Sequence, residues 1–559
     1  MTSPTTSTMP PPTTTSNGST PTDIEKTSQS DKSADNTTQS EDGFQYPSAK
    51  SANAVILALC IVIFLSALDR LIVATAIPQM TNEFHSLDDI GWYGSAFLLT
   101  SCCLLLLAGR IYTYYSPKMV FLIVIVIFEI GSLICATAPN STVFIVGRAI
   151  AGIGGAGVMN GAVTLLSCTV PLAKRAKYQG MFGAAFGLAS VVGPLLGGVF
   201  TTKVTWRWCF YINLPIGAVA IAVIAVAMKA MPGENKGMPL KQKFLQLDPL
   251  GALLIIPSLI CLLLALQWGG AKYDWTSGRV IALLVVFAVL FVAFCLVQVF
   301  MRENATIPLH IIKNRSILAA QLYVFCLNGS FNVVVFYVPL WFQVIQNVNA
   351  IDSGIRTFPL ILSMVVGIIA SGVLTGKIGY YTPLAYAASI IAPIGIGLMA
   401  TWKPDTSKGM WIGYQIVVGF GNGIGFSQAN MAAQTVLRRR DVPTGASIVQ
   451  FCQLLGGTVF IAVGQNLLTS SLAAGLAPLV PGLDARTVGN LGAVELRNLV
   501  VPDQLDALLN VYNDAIRQIF LMAAGLASAA GLGALGLEWK NVNKAEKEHG
   551  ETKAPQEGV

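Results

Sequence analysis

The chain has 559 residues, of which 54% are hydrophobic and only 11% are charged, and its formal net charge is +7. Repeated apolar runs exceed the roughly 18 residues that a bilayer-spanning helix needs, so the composition excludes a soluble globular domain and predicts an all-α polytopic membrane protein. The Lys and Arg residues lie in short loops between these runs, which indicates orientation signals and not a nucleic-acid ligand. The ten cysteines lack metal-ligand spacing, and no metal or cofactor is expected.

Residues 1–50 are rich in Ser, Thr and Pro and contain almost no large apolar side chains. Such a composition cannot offset the entropy lost on folding, so a disordered tail is predicted. The tail shows no basic region followed by an apolar core and a cleavage site. The first apolar run is therefore expected to be an uncleaved signal anchor.

About fourteen segments are predicted to cross the membrane. Their approximate ranges are 54–77, 90–108, 119–138, 143–168, 180–200, 212–230, 248–268, 279–301, 317–342, 354–376, 384–401, 410–432, 444–469 and 516–538. With the N-terminus in the cytoplasm, most basic loop residues lie on the cytoplasmic side, as the positive-inside rule requires. Both termini are therefore predicted to be cytoplasmic.

The fifth segment contains Gly187, Gly193, Pro194, Gly197 and Gly198. A proline with several glycines in a lipid-embedded helix frees backbone groups and lets a neighbouring helix approach closely. This run predicts a helix that moves during function, with static close packing as the alternative.

The second half of the chain repeats features of the first. Residues 109–117 reappear, one residue shorter, as 376–383; the glycines of 152–157 have counterparts in 419–423; and 195–198 matches 454–457. All three pairs are offset by about 260 to 267 residues, which predicts two six-helix halves with two extra helices between them. Such repeats enclose a cleft that opens alternately to each side of the membrane, as in a transporter.

The expected domain organisation follows from the spans and the repeat. It consists of a cytoplasmic tail (1–50), a six-helix bundle (51–231), a two-helix insertion with linkers (232–315), a second six-helix bundle (316–538) with an outer loop (471–514), and a cytoplasmic tail (539–559). Within the outer loop, Leu505, Leu508, Leu509 and Tyr512 have helical spacing, which suggests an interfacial helix on the outer face.

Four stretches, 68–78, 147–154, 187–198 and 206–215, resemble the major facilitator superfamily and within it the fungal fourteen-helix drug:proton antiporters. The resemblance covers roughly residues 50–540 and implies a major facilitator fold that exports its cargo in exchange for protons. The chain departs from the family pattern at Thr113 and Tyr114, where an Asp followed by a basic residue is usual, and at Ala151, where Gln is frequent.

Four charged residues lie at membrane depth, where each costs roughly 2.5 to 3.5 kcal/mol. They are Asp69 and Arg70 in the first segment, Glu129 in the third and Arg148 in the fourth. Asp69 and Glu129 can exchange protons, and Arg148, which matches an arginine of the family, can pair with a carboxylate or a substrate anion. Structural ion pairing of Asp69 and Arg70 with separate partners, and a hydrogen bond from Glu129 to a neighbouring helix, are the alternatives.

Polar and aromatic side chains of the ninth segment predict a cleft for amphipathic aromatic compounds. They are Asn328, Asn332, Phe336, Tyr337 and Gln343, with Gln415 as the repeat counterpart of Arg148. For Trp341 a position at the lipid interface is favoured. Asn140, in Asn-Ser-Thr, is a glycosylation acceptor on the outer side, close to the bilayer.

The sequence has no Gly-rich phosphate loop ending in Lys-Ser or Lys-Thr, which argues against ATP-driven transport. It predicts a monomeric exporter of the plasma membrane, with the vacuolar membrane as the alternative, that exchanges a small apolar or amphipathic molecule for protons. The expected cargo is a fungal secondary metabolite or toxin. Export of external drugs and uptake of a nutrient are the alternatives, whereas a membrane enzyme, a sensor and a channel are disfavoured.

Overall fold

The computed structural model describes residues 47–86, 89–228, 239–270, 273–301, 305–477 and 505–544. Most of the predicted N-terminal tail, up to residue 46, lies outside these ranges. Across the described ranges the chain forms nineteen helices, and the β-pairing found there is one isolated bridge between Gly269 and Tyr273.

The first seven helices form one bundle. They are α1 (Ala49–Phe84), α2 (Ile90–Tyr114), α3 (Pro117–Thr137), α4 (Ser141–Thr169), α5 (Leu172–Lys203), α6 (Trp208–Tyr211) and α7 (Asn213–Ala227). In this bundle α1 packs against α5 and α7, α2 against α4, and α3 against α4 and α7.

Four helices connect this bundle to the next. They are α8 (Leu240–Leu245), α9 (Pro249–Trp268), α10 (Gly278–Met301) and α11 (Leu309–Ile312). Asp248 begins α9 in a left-handed conformation, and its fully buried carboxylate accepts hydrogen bonds from Gly251 N, Gln298 Nε2 and Thr306 N at 2.7 to 2.8 Å. This carboxylate fastens the start of α9 to the end of α10 and to the linker that follows it.

The last eight helices form the second bundle. They are α12 (Arg315–Ile345), α13 (Ala350–Arg356), α14 (Phe358–Ile378), α15 (Thr382–Met399), α16 (Lys408–Gly425), α17 (Gln428–Val436), α18 (Val442–Leu476) and α19 (Leu505–Gly536). Here α12 packs against α18 and α19, α14 against α16, and α15 against α16 and α19. Each of these pairs mirrors one in the first bundle, so the predicted duplication is confirmed.

Thirteen of the described helices are long and apolar enough to cross a membrane. The twelfth predicted segment, 410–432, was expected to be one helix, and this was wrong. It falls on α16 and α17, which are interrupted at Phe426 and Ser427. Glycine stabilises helices poorly, and alternate glycines lead up to this break; the Gly425 carbonyl oxygen accepts a hydrogen bond from Tyr323 Oη at 3.3 Å.

The helix ends lie on two faces. On what we call the near face, where α1 begins and α19 ends, Lys118 Nζ donates to Met228 O at 2.6 Å and Val542 N donates to Gly379 O at 2.8 Å. On the far face, Trp206 Nε1 donates to the Glu83 carboxylate at 2.6 Å.

Two aromatic side chains that were expected at a lipid interface lie inside the second bundle instead. Trp341 is 1% exposed; its indole nitrogen donates to Asn513 Oδ1 at 2.8 Å, and its ring lies 4.7 Å from that of Trp402. Residues 505–512 form the first turns of α19, where Leu508 and Tyr512 are buried in the same cluster. Both interface predictions were wrong, since the Trp341 indole finds a polar partner and both rings find apolar neighbours in the interior.

Of the two extra helices, α9 lies along the line where the bundles meet, and α10 packs against α9. Apolar side chains of α9 pack with residues of α2 and α18 in one cluster. At the far end, Gln267 Nε2 donates to Ser95 Oγ of α2 at 2.6 Å, and Trp275 Nε1 donates to Asn466 of α18.

Candidate functional site

A buried ion pair joins α1 to α4. Arg148 Nη1 lies 2.5 Å from Asp69 Oδ2, and neither side chain is exposed. Arg148 Nε also donates to Tyr93 O of α2 at 2.9 Å, and Asn213 Nδ2 of α7 donates to Asp69 Oδ1 at 3.2 Å. The structural ion pair that the sequence left open for Asp69 is therefore present, and it connects four helices.

Aromatic rings surround the guanidinium. Its central carbon lies 4.8 Å from the centre of the Phe97 ring and 5.9 Å from that of Phe210. Phe210 belongs to the 206–215 segment, and its ring packs edge-on against Phe144. Arg148 Nη2 has no hydrogen-bond partner within the described ranges.

Glu129 of α3 lies in the same bundle without a hydrogen-bond partner. It is 8% exposed, and neither carboxyl oxygen accepts a hydrogen bond from the described part of the chain. Its side chain lies against Gly217 of α7, where a Cβ would collide with Oε1. One turn further along α3, Ser132 Oγ lies 3.2 Å from Asn213 Nδ2, the group that also bonds Asp69. The alternative of a simple hydrogen bond from Glu129 to a neighbouring helix was therefore wrong.

Arg70 is half-buried, and no hydrogen bond or ion pair of its side chain is found among the residues with described positions. The expected separate partner exists for Asp69, which pairs with Arg148, whereas none is found for Arg70 in the described part of the chain.

The glycine run of α5 faces two different helices. A Cβ on Gly193 would lie 3.4 Å from Leu71 Cβ of α1, and one on Gly197 would collide with Thr75. Gly187 faces α14, where a Cβ would collide with Val365. Pro194 lies inside the helix without ending it, since α5 continues to Lys203.

The two bundles touch each other toward the near face. A Cβ on Gly372 of α14 would lie 2.7 Å from Ala176 O of α5, and one on Gly180 would lie 3.3 Å from Ile368 O. On the other side of the boundary, Thr113 Oγ1 of α2 lies 3.0 Å from Thr444 Oγ1 of α18. Contacts this close leave no room for cargo between the bundles on this side.

Toward the far face the same side of α5 is open. Residues seven apart lie on one side of a helix, so Gly180, Gly187 and Pro194 share the side that faces α14. Gly187 still meets Val365, but Pro194 is exposed, and a Cβ on Gly198 would have no atom within 4 Å. The bundles are therefore in contact on the near side, whereas α5 is open at Pro194 and Gly198 toward the far face.

Two residues that depart from the family pattern, Thr113 and Tyr114, take part in the near-side contact between the bundles. Thr113 bonds across to Thr444, and the Tyr114 ring has the guanidinium of Arg110 at 4.7 Å and that of Arg440 at 5.9 Å. At these positions the fungal drug:proton antiporters usually have a carboxylate. In this chain a cation–π interaction and a pair of hydroxyl groups take its place.

The chain matches a family model over most of these elements. The model of the Major Facilitator Superfamily matches residues 59–461. The chain belongs to this superfamily.

Similar proteins include several fungal efflux pumps. The "MFS-type efflux pump MFS1" of Arthroderma benhamiae is 48% identical over 87% of this chain and 91% of its own. The "Rubrofusarin-specific efflux pump aurT" of Gibberella zeae is 45% identical over 91% and 93%, and the "Efflux pump aflT" of Aspergillus parasiticus is 45% identical over 88% and 96%.

Two solved structures share the fold. The human organic anion transporter MFSD10 has a TM-score of 0.55 at 13% identity, covering 85% of this chain and 99% of its own. A bacterial homologue of the lysosomal transporter Spinster, in an inward-facing conformation, has a TM-score of 0.51 at 14% identity, covering 88% and 97%. The chain is thus a multi-pass membrane transporter of the major facilitator fold.

The predicted cleft residues of this transporter do not form one group. Asn328 Nδ2 donates to Gln453 O of α18 at 2.8 Å, and Asn332 Nδ2 donates to Asn328 O at 2.8 Å. Gln415 is fully buried and donates to Arg356 O at 3.0 Å. Tyr337 is buried beside α18, and Gln343 lies 3.5 Å from Ser353 Oγ.

Asn328 lines a small cavity of the second bundle, with a volume of about 10 Å³. Phe331, Asn422, Phe426 and Gln453 share this lining, and the break between α16 and α17 adjoins it. Asn422 and Gln453 were not predicted from the sequence.

Asn213, Ser132 and Gly217 were also missed, although their spacing gave a signal. Ser132 follows Glu129 by three residues and Gly217 follows Asn213 by four, so each pair lies on one side of its helix.

Asn140 is exposed at the start of α4, and its Oδ1 accepts from Val143 N at 3.0 Å. Its glycosylation stays a prediction.

Proposed function

We propose that this transporter exports a small apolar or amphipathic metabolite in exchange for protons. The observation that carries the proposal is the buried cluster of Asp69, Arg148 and Glu129, because ionisable groups at membrane depth are costly and mark proton or substrate pathways. The three relatives described above are each named as efflux pumps, which supports the outward direction.

We place the near face in the cytoplasm, with both chain termini, and the protein in the plasma membrane. Basic side chains concentrate on this face, which supports the orientation. They include Lys118, Arg175, Arg438, Arg439 and Arg440. In this orientation the near-side contacts close the transporter to the cytoplasm, and we propose that cargo leaves and a proton enters from the outer side in this state.

The coupling step follows from electrostatics. A proton that reaches the cluster from the far side neutralises a carboxylate and removes its attraction to Arg148, because Coulomb attraction requires both charges. Because Arg148 is then held by the remaining carboxylate alone, the α1–α4 contact changes, α1 shifts on the glycines of α5, and the near-face contacts separate for a new cargo molecule. One chain contains both bundles and the whole cluster, so the transporter works as a monomer.

The proposed cargo is an aromatic secondary metabolite or toxin. The name of the relative from Gibberella zeae contains rubrofusarin, which makes that compound a suitable first probe. Export of applied antifungal drugs would use the same cycle, and the experiment separates the two.

The test is expression in yeast that lacks its own drug exporters, followed by loading with rubrofusarin or with an azole and measurement of the retained compound. Wild type should lower retained rubrofusarin, a protonophore should abolish the effect, and Asp69→Asn should fail. If expression lowered the retained azole but not the retained rubrofusarin, export of applied drugs would be favoured. Higher retention in expressing cells would contradict export and favour uptake.

A further inference from the structure

We propose that Glu129 carries the exchanged proton and that the Asp69–Arg148 pair responds to its charge. The inference rests on the proton exchange proposed above and names the residue responsible.

The two carboxylates of the cluster differ in their hydrogen bonding. Asp69 has both oxygens occupied, by Arg148 at 2.5 Å and by Asn213 at 3.2 Å. Glu129 has neither oxygen occupied within the described ranges, although it is also buried. A buried carboxylate without donors is far more costly as an anion than as a neutral acid, whereas an ion-paired one is held ionised. Glu129 is therefore the group that can alternate between the two forms.

The surroundings of Glu129 contain few other charges. Asp69 and Arg70 lie on α1 and Arg148 lies on α4; α7 presents the uncharged Asn213 and Gly217. Further buried titratable groups of this region are the thiols of Cys135 on α3 itself and Cys209 on α6 and the phenol of Tyr93 on α2. Arg148 is the cation of the fully buried pair, and its Nη2 has an unused proton.

This unused donor provides a response to deprotonation. When the O–H bond of the Glu129 carboxyl breaks and its proton leaves to water, the new anion attracts Arg148. The guanidinium is then shared between two carboxylates, and its bond to Asp69 weakens. No electron is transferred, and no other reactant is needed.

The signal reaches the moving helix through α1. Asp69 lies on α1 within two turns of Leu71, Ile72 and Thr75, the side chains that Gly193 and Gly197 of α5 approach most closely. Weakening of the Asp69–Arg148 ion pair therefore changes the packing between α1 and the glycines of α5. Gly217 is a positioning residue, because a larger side chain there would displace the Glu129 carboxyl.

The experiment uses full-length protein in liposomes with a neutral dihydroxyanthraquinone as the probe. Wild type should accumulate the probe when a pH gradient is imposed and should also exchange internal for external probe without a gradient. Glu129→Gln should lose gradient-driven accumulation by about tenfold or more, as expected when a positioned proton carrier is removed, and should keep gradient-free exchange. Glu129→Asp should retain accumulation with an altered pH profile, and the exposed Asp405→Asn is the matched control.

Gradient-driven accumulation by Glu129→Gln at the wild-type level would overturn the inference. Loss of both activities in Glu129→Gln, together with an unchanged pH profile in Glu129→Asp, would make the residue structural and would also overturn it. If the wild-type protein does not accumulate the probe when a pH gradient is imposed, the proposed proton exchange is wrong. This outcome is seen before any variant is compared.

Discussion

The hydroxyl oxygens of Thr113 and Thr444 lie 3.0 Å apart across the boundary between the bundles, although 331 positions separate them in the chain. This hydrogen bond joins the near ends of α2 and α18. Since α5 and α14 touch on the same side, the near face is closed at both places where the bundles meet.

A disulfide between these two positions should stop transport. In Thr113→Cys/Thr444→Cys, oxidation should hold the near face closed and lower export of the probe by about tenfold or more, because closure of one side must alternate with opening. The measurement is transport before and after oxidation, with recovery on reduction. Each single variant is the control, and full transport by the cross-linked protein would show that the near face need not open.

Gly372 should not tolerate a side chain. A Cβ there would lie 2.7 Å from Ala176 O, so Gly372→Ala should push the bundles apart and slow cross-linking of the cysteine pair. The control is Gly376→Ala on the same helix, where a Cβ has no atom within 4 Å. Equal cross-linking rates in the two variants would contradict the close contact of α5 and α14.

Within the glycine run, neighbouring glycines should respond differently. Gly197→Ala should lower stability by about 1–3 kcal/mol, because the added methyl collides with Thr75 in a packed interface. Gly198→Ala fills open space and should leave the unfolding temperature unchanged or slightly raised. Thermal unfolding in detergent measures both, and equal losses would show that the α1–α5 interface yields easily.

The buried ion pair should behave as a unit. Asp69→Asn or Arg148→Gln alone should cost about 3–5 kcal/mol of stability, since each leaves an unpaired buried group, and the double variant should cost less than the sum of the two. A double-mutant cycle on unfolding in detergent measures the coupling. Additive losses would mean that the two side chains do not interact.

The far end of α1 should be sensitive to acid. Hydrogen bonds from Trp206 and Arg207 lower the pKa of Glu83, so its contribution to stability is present above its unfolded pKa and is lost as the pH falls through the folded pKa. Wild type should therefore lose unfolding temperature on acidification more steeply than Glu83→Gln. Parallel curves for the two proteins would show that this carboxylate does not hold α1 to the following loop.

The sequence predicts those features that depend on composition alone. Apolar runs locate the helices, and Asp69, Glu129 and Arg148 stand out because charge at membrane depth is costly. Their partners do not follow from the sequence, since Asn213 and Tyr93 reach the ion pair only through the packing of α7 and α2.

Amphipathic side chains are harder to place. Trp341 and Tyr512 suit a lipid interface as well as an interior, and the choice depends on where a polar partner lies, here Asn513 for Trp341. The break after Gly425 was missed for a related reason, because glycines in an apolar run are compatible with both close packing and helix interruption.

The most direct test of proton exchange is the internal pH of liposomes that contain the purified transporter and are loaded with a neutral dihydroxyanthraquinone. When the compound flows out down its gradient, we expect protons to flow in and a trapped pH indicator to report acidification, which a protein-free liposome does not show. Outflow through the transporter at unchanged internal pH, or with alkalinisation, would contradict exchange of cargo for protons.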